Sequence, residues 1–146
     1  MARLKKILNR KNYIPVLLDL TDTNHFELTA KINGIKGRFI LDTGASNTCV
    51  GIDKADHFRL VSEASEIKAA GAGAREMETL ISDKNSIQIG HWKCKKLKIV
   101  IFDLIHVNEA LTMHQAKPVD GIIGSDILIK AKAVIDYKKK FLYLKK

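Results

Sequence analysis

The stretch "FILDTGASNTCV", residues 39–50, sets one carboxylate among apolar and small side chains. Phe39, Ile40 and Leu41 predict a buried strand, and Thr48, Cys49 and Val50 predict another. Asp42 stands between them, followed at once by Thr43, Gly44, Ala45 and Ser46. A carboxylate at the end of a core strand is costly unless something compensates it. Gly44 lets backbone N–H groups approach, and the hydroxyls of Thr43 and Ser46 can donate to the charge. Two readings follow from these residues alone: a hydrogen-bonded turn aspartate, or a base held for chemistry. One carboxylate supplies no acid partner. No His, Cys or second acid lies at ligand spacing, which argues against a metal. Ser46 lacks a G-x-S-x-G elbow and a paired His, which argues against a serine nucleophile.

Upstream, "YIPVLLDL" (13–20) predicts a strand that Pro15 confines to an edge or a start. "HFELTAKI" (25–32) alternates, with Phe26, Leu28, Ala30 and Ile32 on one face, and Asn33-Gly34 joins it to "IKGRFILD". Asn-Gly between two such runs is the strongest short hairpin signal. Downstream, a short helix is expected near Asp53. In "EIKAAGAGAREMETLI" (66–81) strand-like flanks surround a tip of Ala and Gly only, residues 69–74, which reads as a mobile hairpin. "NSIQIGHWKCKKLKIVIFDL" (85–104) predicts two strands turning near Gly90, and "HVNEALTMHQA" predicts a helix with Val107, Ala110 and Leu111 on one side. Gly121 and Gly124 bracket Ile122-Ile123, a helix starts near Ser125 or Asp126, and "AVIDY" and "FLYL" form a hairpin turned by lysines. Short strands at this spacing predict an all-β domain, closed or sandwiched, with one or two short helices.

The 146 residues amount to one domain, with 46% hydrophobic and 28% charged residues. We divide them into a basic N-terminal segment, 1–12, and a single domain, 13–146. The net charge of +9 lies at the ends: five basic residues and no acid in 1–12, seven lysines against Asp136 in 130–146. The span between is slightly acidic, so no basic face is expected and no nucleic-acid partner. Apolar residues of the N-terminus are scattered among lysines without a signal-peptide core, so the cytoplasm is the expected location, with no stable membrane association. Cys49 and Cys94 are expected as buried free thiols.

"FILDTGAS", the Ala/Gly hairpin, and "GIIG" with "SDIL" and "AVIDY" some 80 residues later together resemble the aspartic protease family, specifically its single-lobe, retropepsin-like branch. The likeness spans roughly residues 14–144. It implies a closed retropepsin-like barrel and an aspartic endopeptidase with no cofactor and no metal, acting on polypeptide substrates. Asp42 matches the catalytic aspartate, and Thr43, Gly44, Ala45 and Ser46 match its loop. Ala69, Ala70, Gly71, Ala72, Gly73 and Ala74 match the flap that closes over a peptide. Ile122, Ile123 and Gly124 match the hydrophobic-glycine element against which the loop packs. A two-lobed enzyme carries two such aspartates and this chain has one, so the resemblance implies a homodimer. Asp120-Gly121 belongs to the glycine element and is no second copy.

Ser125 stands where viral members carry an arginine that supports the dimer, and the helix near 105–115 is an insertion relative to the minimal viral domain. Substrate pockets are expected from Ile40, Ile81, Ile122 and Ile123. Trp92 is expected as a strand aromatic, the five histidines as bystanders, and Arg75 with Glu76 as a solvated pair. The rival from another class is a catalytically inactive β-module that binds peptides or dimerises through the same groove; the intact Asp42 loop argues for the enzyme.

Overall fold

The computed structural model describes residues 3–64 and 79–146. Strand β3 (Phe26–Ile32) turns at Asn33-Gly34, both with positive φ, into β4 (Ile35–Leu41), as the sequence predicts. Asn33 also closes the barrel. Its side chain donates to Phe58 O and Asn85 Oδ1, and its Oδ1 accepts from Ser86 N. Strands β5 (Cys49–Gly51), β7 (Leu80–Ile89), β8 (Trp92–Phe102) and β9 (Gly121–Ile123) complete a cylinder in the order β3-β4-β9-β5-β8-β7, closed by pairing of β3 with β7. The short β2 (Asp19–Leu20) and β6 (Glu63–Ala64) extend β3 and β7.

The placement of β9 matters most for the site. It lies between β4 and β5, parallel to the first and antiparallel to the second, while β5 also runs parallel to β8. The chain leaving β4 must therefore loop around the end of β9 to reach β5, and that loop is residues 42–48. Packing allows no side chain at Gly121, where a Cβ would meet Cys49 O and the Phe39 ring. The barrel interior is filled by Leu28, Ile32, Phe39, Ile87, Ile99, Ile101, Ile123 and Leu142, all essentially without solvent contact. Burial of this apolar area is the main force holding the fold.

A second apolar cluster lies on the outer face of β4, β5, β8 and β9: Ile40, Cys49, Val100, Phe102 and Ile122, covered by Leu104 and Leu111. Helix α2 (Ile105–Met113) supplies that cover. Only Leu111 of α2 is buried; Val107 is half-buried and Ala110 exposed. Helix α3 (Ser125–Lys130) follows β9, and β1 (Tyr13–Leu17), β10 (Val134–Asp136) and β11 (Phe141–Lys145) form a separate three-stranded sheet in the order β1-β11-β10.

The basic N-terminal segment contains a helix, α1 (Leu4–Arg10), that the sequence pattern does not announce. Leu8 is its one buried residue, and the Lys5 ammonium sits 5.1 Å from the Phe141 ring centroid. The helix expected near Asp53 is shorter, a single 3-10 turn over Ile52–Lys54. Cys49 and Cys94 are buried free thiols, and Trp92 is a core aromatic whose Nε1 donates to Lys145 O. No helix among the described residues is long and apolar enough to cross a membrane.

Candidate active site

Residues 42–48 are fastened to the end of β9 from both sides. Asp42 N–H donates to Ile123 O, and Ser125 N–H donates to Ala45 O. Gly124 lies beneath the loop, where a Cβ would come within 2.7 Å of Ala45 O and 2.9 Å of Asn47 O. Glycine is required there by close approach of two backbones. The segment Ile122, Ile123 and Gly124 thus packs against the Asp42 loop. Ile122 faces the outer cluster and Ile123 the barrel interior, because successive strand residues point to opposite faces.

Within the loop, Gly44 N–H donates to Asp42 Oδ1 at 2.9 Å and Ala45 N–H to Asp42 O at 3.2 Å. Asp42 and Ala45 are half-buried, while Thr43, Gly44 and Ser46 are exposed. The expected donation from the Thr43 and Ser46 hydroxyls to Asp42 is not what the structure has; the backbone amide of Gly44 does that work. Among the described residues Asp42 has no salt-bridge partner. The result is a positioned carboxylate at an exposed loop, with no neutralising cation among the described residues.

A feature the sequence reading missed holds the far side of the loop. Thr48 is fully buried, and its N–H and Oγ1–H both donate to Asp126, at 2.9 and 2.8 Å. Thr48 Oγ1 in turn accepts from Gly124 N–H at 3.1 Å. Asp126 also accepts from Ile127 N–H within the first turn of α3, where its negative charge suits the helix N-terminus. One carboxylate thereby ties the loop, the glycine and α3 together. The signal in the sequence was a polar Thr48 opening an otherwise apolar strand, 78 residues from its partner.

Cys49 lies next to this network. Burial pushes its thiol up to about 12, opposed by a hydrogen bond with the Ile122 backbone and assisted by the Asp126 and Asp42 carboxylates. It is a core side chain and no nucleophile at neutral pH. Asp120 lies away from the Asp42 loop. Its carboxylate accepts from Arg38 N–H at 2.9 Å at the opposite end of β9, with Lys54 Nζ at 3.9 Å. Arg38 bonds Glu27 at 3.0 Å and Asp19 at 2.6 Å. Burial works against the Arg38 charge, but hydrogen bonds and attraction from Asp19 and Glu27 outweigh it and raise its pKa.

Of the expected pocket residues, Ile40 and Ile122 share the outer face and Ile81 is half-buried. Ile123 is sealed in the barrel, without solvent contact. The expected flap, Ala69–Ala74, and the Arg75-Glu76 pair lie outside the described residues. The strands flanking that segment are described: Glu63 and Ala64 pair antiparallel with Ile81 and Leu80. No group of three His, Cys, Asp or Glu side chains among the described residues is arranged to hold a metal.

Comparison with known proteins agrees with this geometry. A family model described as aspartyl protease matches residues 28–127. A retropepsin-like aspartic protease from Rickettsia conorii superposes with a TM-score of 0.60 at 19% identity, covering 90% of this chain and 89% of that one. EIAV protease complexed with the inhibitor HBY-793 gives 0.55 at 18% identity, covering 75% and 90%. The retroviral protease-like domain of Ddi1 from Leishmania major gives 0.53 at 15% identity, covering 88% of both chains. At these identities the superpositions establish a shared retropepsin-like fold. No curated protein matches the chain significantly.

Proposed function

The chain belongs to the aspartyl protease family, and from that premise we propose that it is an aspartic endopeptidase acting as a homodimer. The observation that carries this reading is Asp42 itself: its backbone N–H is held by Ile123 O, its half-buried carboxylate accepts from Gly44 N–H, and among the described residues it has no cationic partner. Peptide hydrolysis needs an acid and a base together. Two carboxylates about 3 Å apart cannot both ionise and so share one proton. Aspartic-protease dyads are the standing example of that coupling. One chain offers one Asp42, so two chains related by a two-fold axis are required to assemble the pair.

In the assembled site the ionised Asp42 takes a proton from water as its oxygen attacks the peptide carbonyl. The protonated Asp42 donates to the carbonyl oxygen. Collapse of the tetrahedral intermediate breaks the C–N bond, and the leaving amine takes a proton from the carboxyl that gained one. Water is the only co-reactant, and no cofactor or metal enters these steps. Thr43, Gly44, Ala45 and Ser46 form the wall around the carboxylate. Residues 69–74 are assigned the part of a flap against which an extended polypeptide adds as a strand. The proposed partners are the polypeptide substrate and a second copy of this chain, with no nucleic acid and no stable membrane association, and cytoplasm as the place of action.

The test is cleavage of a peptide library at roughly pH 4 to 7, by wild type and by Asp42→Ala, with and without a transition-state isostere such as pepstatin. Wild-type cleavage that disappears in Asp42→Ala is the expected result. Cleavage that survives the substitution would sink the assignment.

A further inference from the structure

We propose that a cleft between helix α1 and the three-stranded sheet is a docking site for an acidic stretch of polypeptide, separate from the Asp42 loop. The sequence carries its positive charge at its two ends, and the fold brings those ends together. β1 pairs with β11 along its whole length, Lys146 N–H donates to Asn12 O, and the Tyr13 hydroxyl donates to Lys132 O at 2.8 Å. The five basic residues of 1–12 and the seven lysines of 130–146 therefore share one region of the surface. Among the described residues none of these cations is paired with a carboxylate. Asp136, the single acid of the two segments, accepts from the Lys139 backbone N–H instead. The result is a basic face that the order of charges along the chain does not suggest.

On the outer side of the sheet this region is hollowed. Ile14, Leu142 and Leu144 point into the core, so Tyr13, Pro15 and Tyr143 look the other way, towards α1. A cavity of about 250 Å³ lies between them, lined by Lys5, Lys6 and Asn9 of the helix and by Tyr13, Pro15 and Tyr143 of the sheet. The Lys5 ammonium, close to the Phe141 ring, stands at the same junction.

Tyr143 is the observation that points to a ligand. It is only 2% exposed, yet among the described residues its hydroxyl has no hydrogen-bond partner, whereas the Tyr13 hydroxyl has one. No described side-chain N or O atom sealed from solvent lacks a partner, so this hydroxyl keeps its small exposure towards the cavity. Burial and the Asp136 carboxylate push the phenol up, which leaves it a donor at neutral pH.

The lining sets the occupant. Two ammonium groups, an amide and a free hydroxyl converge without a carboxylate among them, which suits an acceptor anion, and charge-assisted hydrogen bonds are the strong kind. The Pro15 and tyrosine rings suit the short aliphatic stem of Asp or Glu. Single ion pairs between exposed side chains contribute little. A run of acids, one in the cleft and its neighbours over the flanking lysines, adds several such pairs at once. A flat bilayer would meet the outer lysines without reaching Tyr143, so the recessed hydroxyl favours a peptide.

Fluorescence anisotropy with labelled acetyl-hexaglutamate amide tests the site. Wild type should bind it and ignore the matched glutamine peptide. Lys5→Gln combined with Lys6→Gln should weaken binding by about tenfold or more. Tyr143→Phe, which removes one unpaired hydroxyl and no packing, should weaken it by about threefold or more. Circular dichroism melts of both variants should match wild type, which separates lost binding from lost folding. Asp42→Asn should bind as wild type does, whatever its effect on cleavage. Binding that disappears in Asp42→Asn, or that neither cleft variant weakens, overturns the proposal. So does a wild type that ignores hexaglutamate, even if it sediments with phosphatidylserine vesicles or retains a single-stranded oligonucleotide.

Discussion

Three aspartates meet the short strand β9 or the turn that follows it, all half-buried, and they are treated in opposite ways. Asp120 at its entry takes the Arg38 backbone N–H and approaches Lys54, in a cluster where Arg38 also satisfies Glu27 and Asp19. Asp126 after its exit accepts three hydrogen bonds, two from the buried Thr48. Asp42 receives one, from the amide two residues on. Half-burial shared by all three, with unequal partnering, sets the carboxylates that hold the fold apart from Asp42. A structural carboxylate is bound on several sides because an unpaired one is destabilising. Asp42 is left open on the side where the second copy and the substrate are proposed to arrive.

Substitutions can break that contrast in order of expected effect. Asp42→Asn should cut peptide cleavage by about a thousandfold or more, while the melting temperature stays close to wild type because Asn Oδ1 still accepts the Gly44 N–H. A large stability loss in circular dichroism melts would place Asp42 with the structural group. Asp126→Ala should act the other way. It strands a buried hydroxyl and an N–H of Thr48, at about 2–4 kcal/mol of stability, measurable by urea titration, and it should lower cleavage because the loop is tied through Thr48 and Gly124. A neutral Asp126→Ala would remove the basis for calling it the loop's anchor.

At the entry to β9 the effects should be smaller and confined to stability. Arg38→Met leaves the buried Glu27 without its partner and is expected to cost about 3 kcal/mol or less, whereas Asp120→Asn, on the same cluster but partly exposed, should cost about 1 kcal/mol. Both variants should retain the wild-type pH profile of cleavage; a changed profile would connect this cluster to the chemistry.

The last effect is confined to alkaline pH. The unfolded Cys49 thiol titrates near 8.5 and the folded one at about 12. The unfolded state then releases the proton first, so this contribution to stability is whole below the lower value and is lost as pH rises toward the upper one. Cys49→Ala should show a shallower fall in stability than wild type above roughly pH 9. Parallel curves would indicate that the thiol is less buried than its packing against β8 and β9 implies.

What the sequence made legible is local or strongly patterned. Asn33-Gly34 announces its hairpin, and the alternation of Phe26, Leu28, Ala30 and Ile32 gives the core face of β3. Asp42 with its small neighbours, and Ile122-Ile123-Gly124, could be singled out because each is odd in its surroundings. The rest depends on partners far along the chain. Nothing near Thr48 points to Asp126, and nothing near Asn108 says that its side chain bonds both backbone groups of Val119. The parallel pairings of β4 with β9 and β5 with β8 carry no mark in either strand. Ile122 and Ile123 look alike in sequence, yet the pleat sends one outward and one into the barrel, so only one can serve a pocket. Helix α1 escaped notice because its single buried contact, Leu8, leaves no apolar stripe to read.

The central claim is that Asp42 works only as a pair, and subunit mixing tests it most directly. Wild type and Asp42→Asn chains are combined at constant total protein, unfolded and refolded together so that they exchange, and peptide cleavage is measured against the wild-type fraction. If each site needs two Asp42 carboxylates, mixed dimers are inactive and activity falls as the square of that fraction. Activity proportional to the fraction itself would mean that one Asp42 suffices, and would contradict the account.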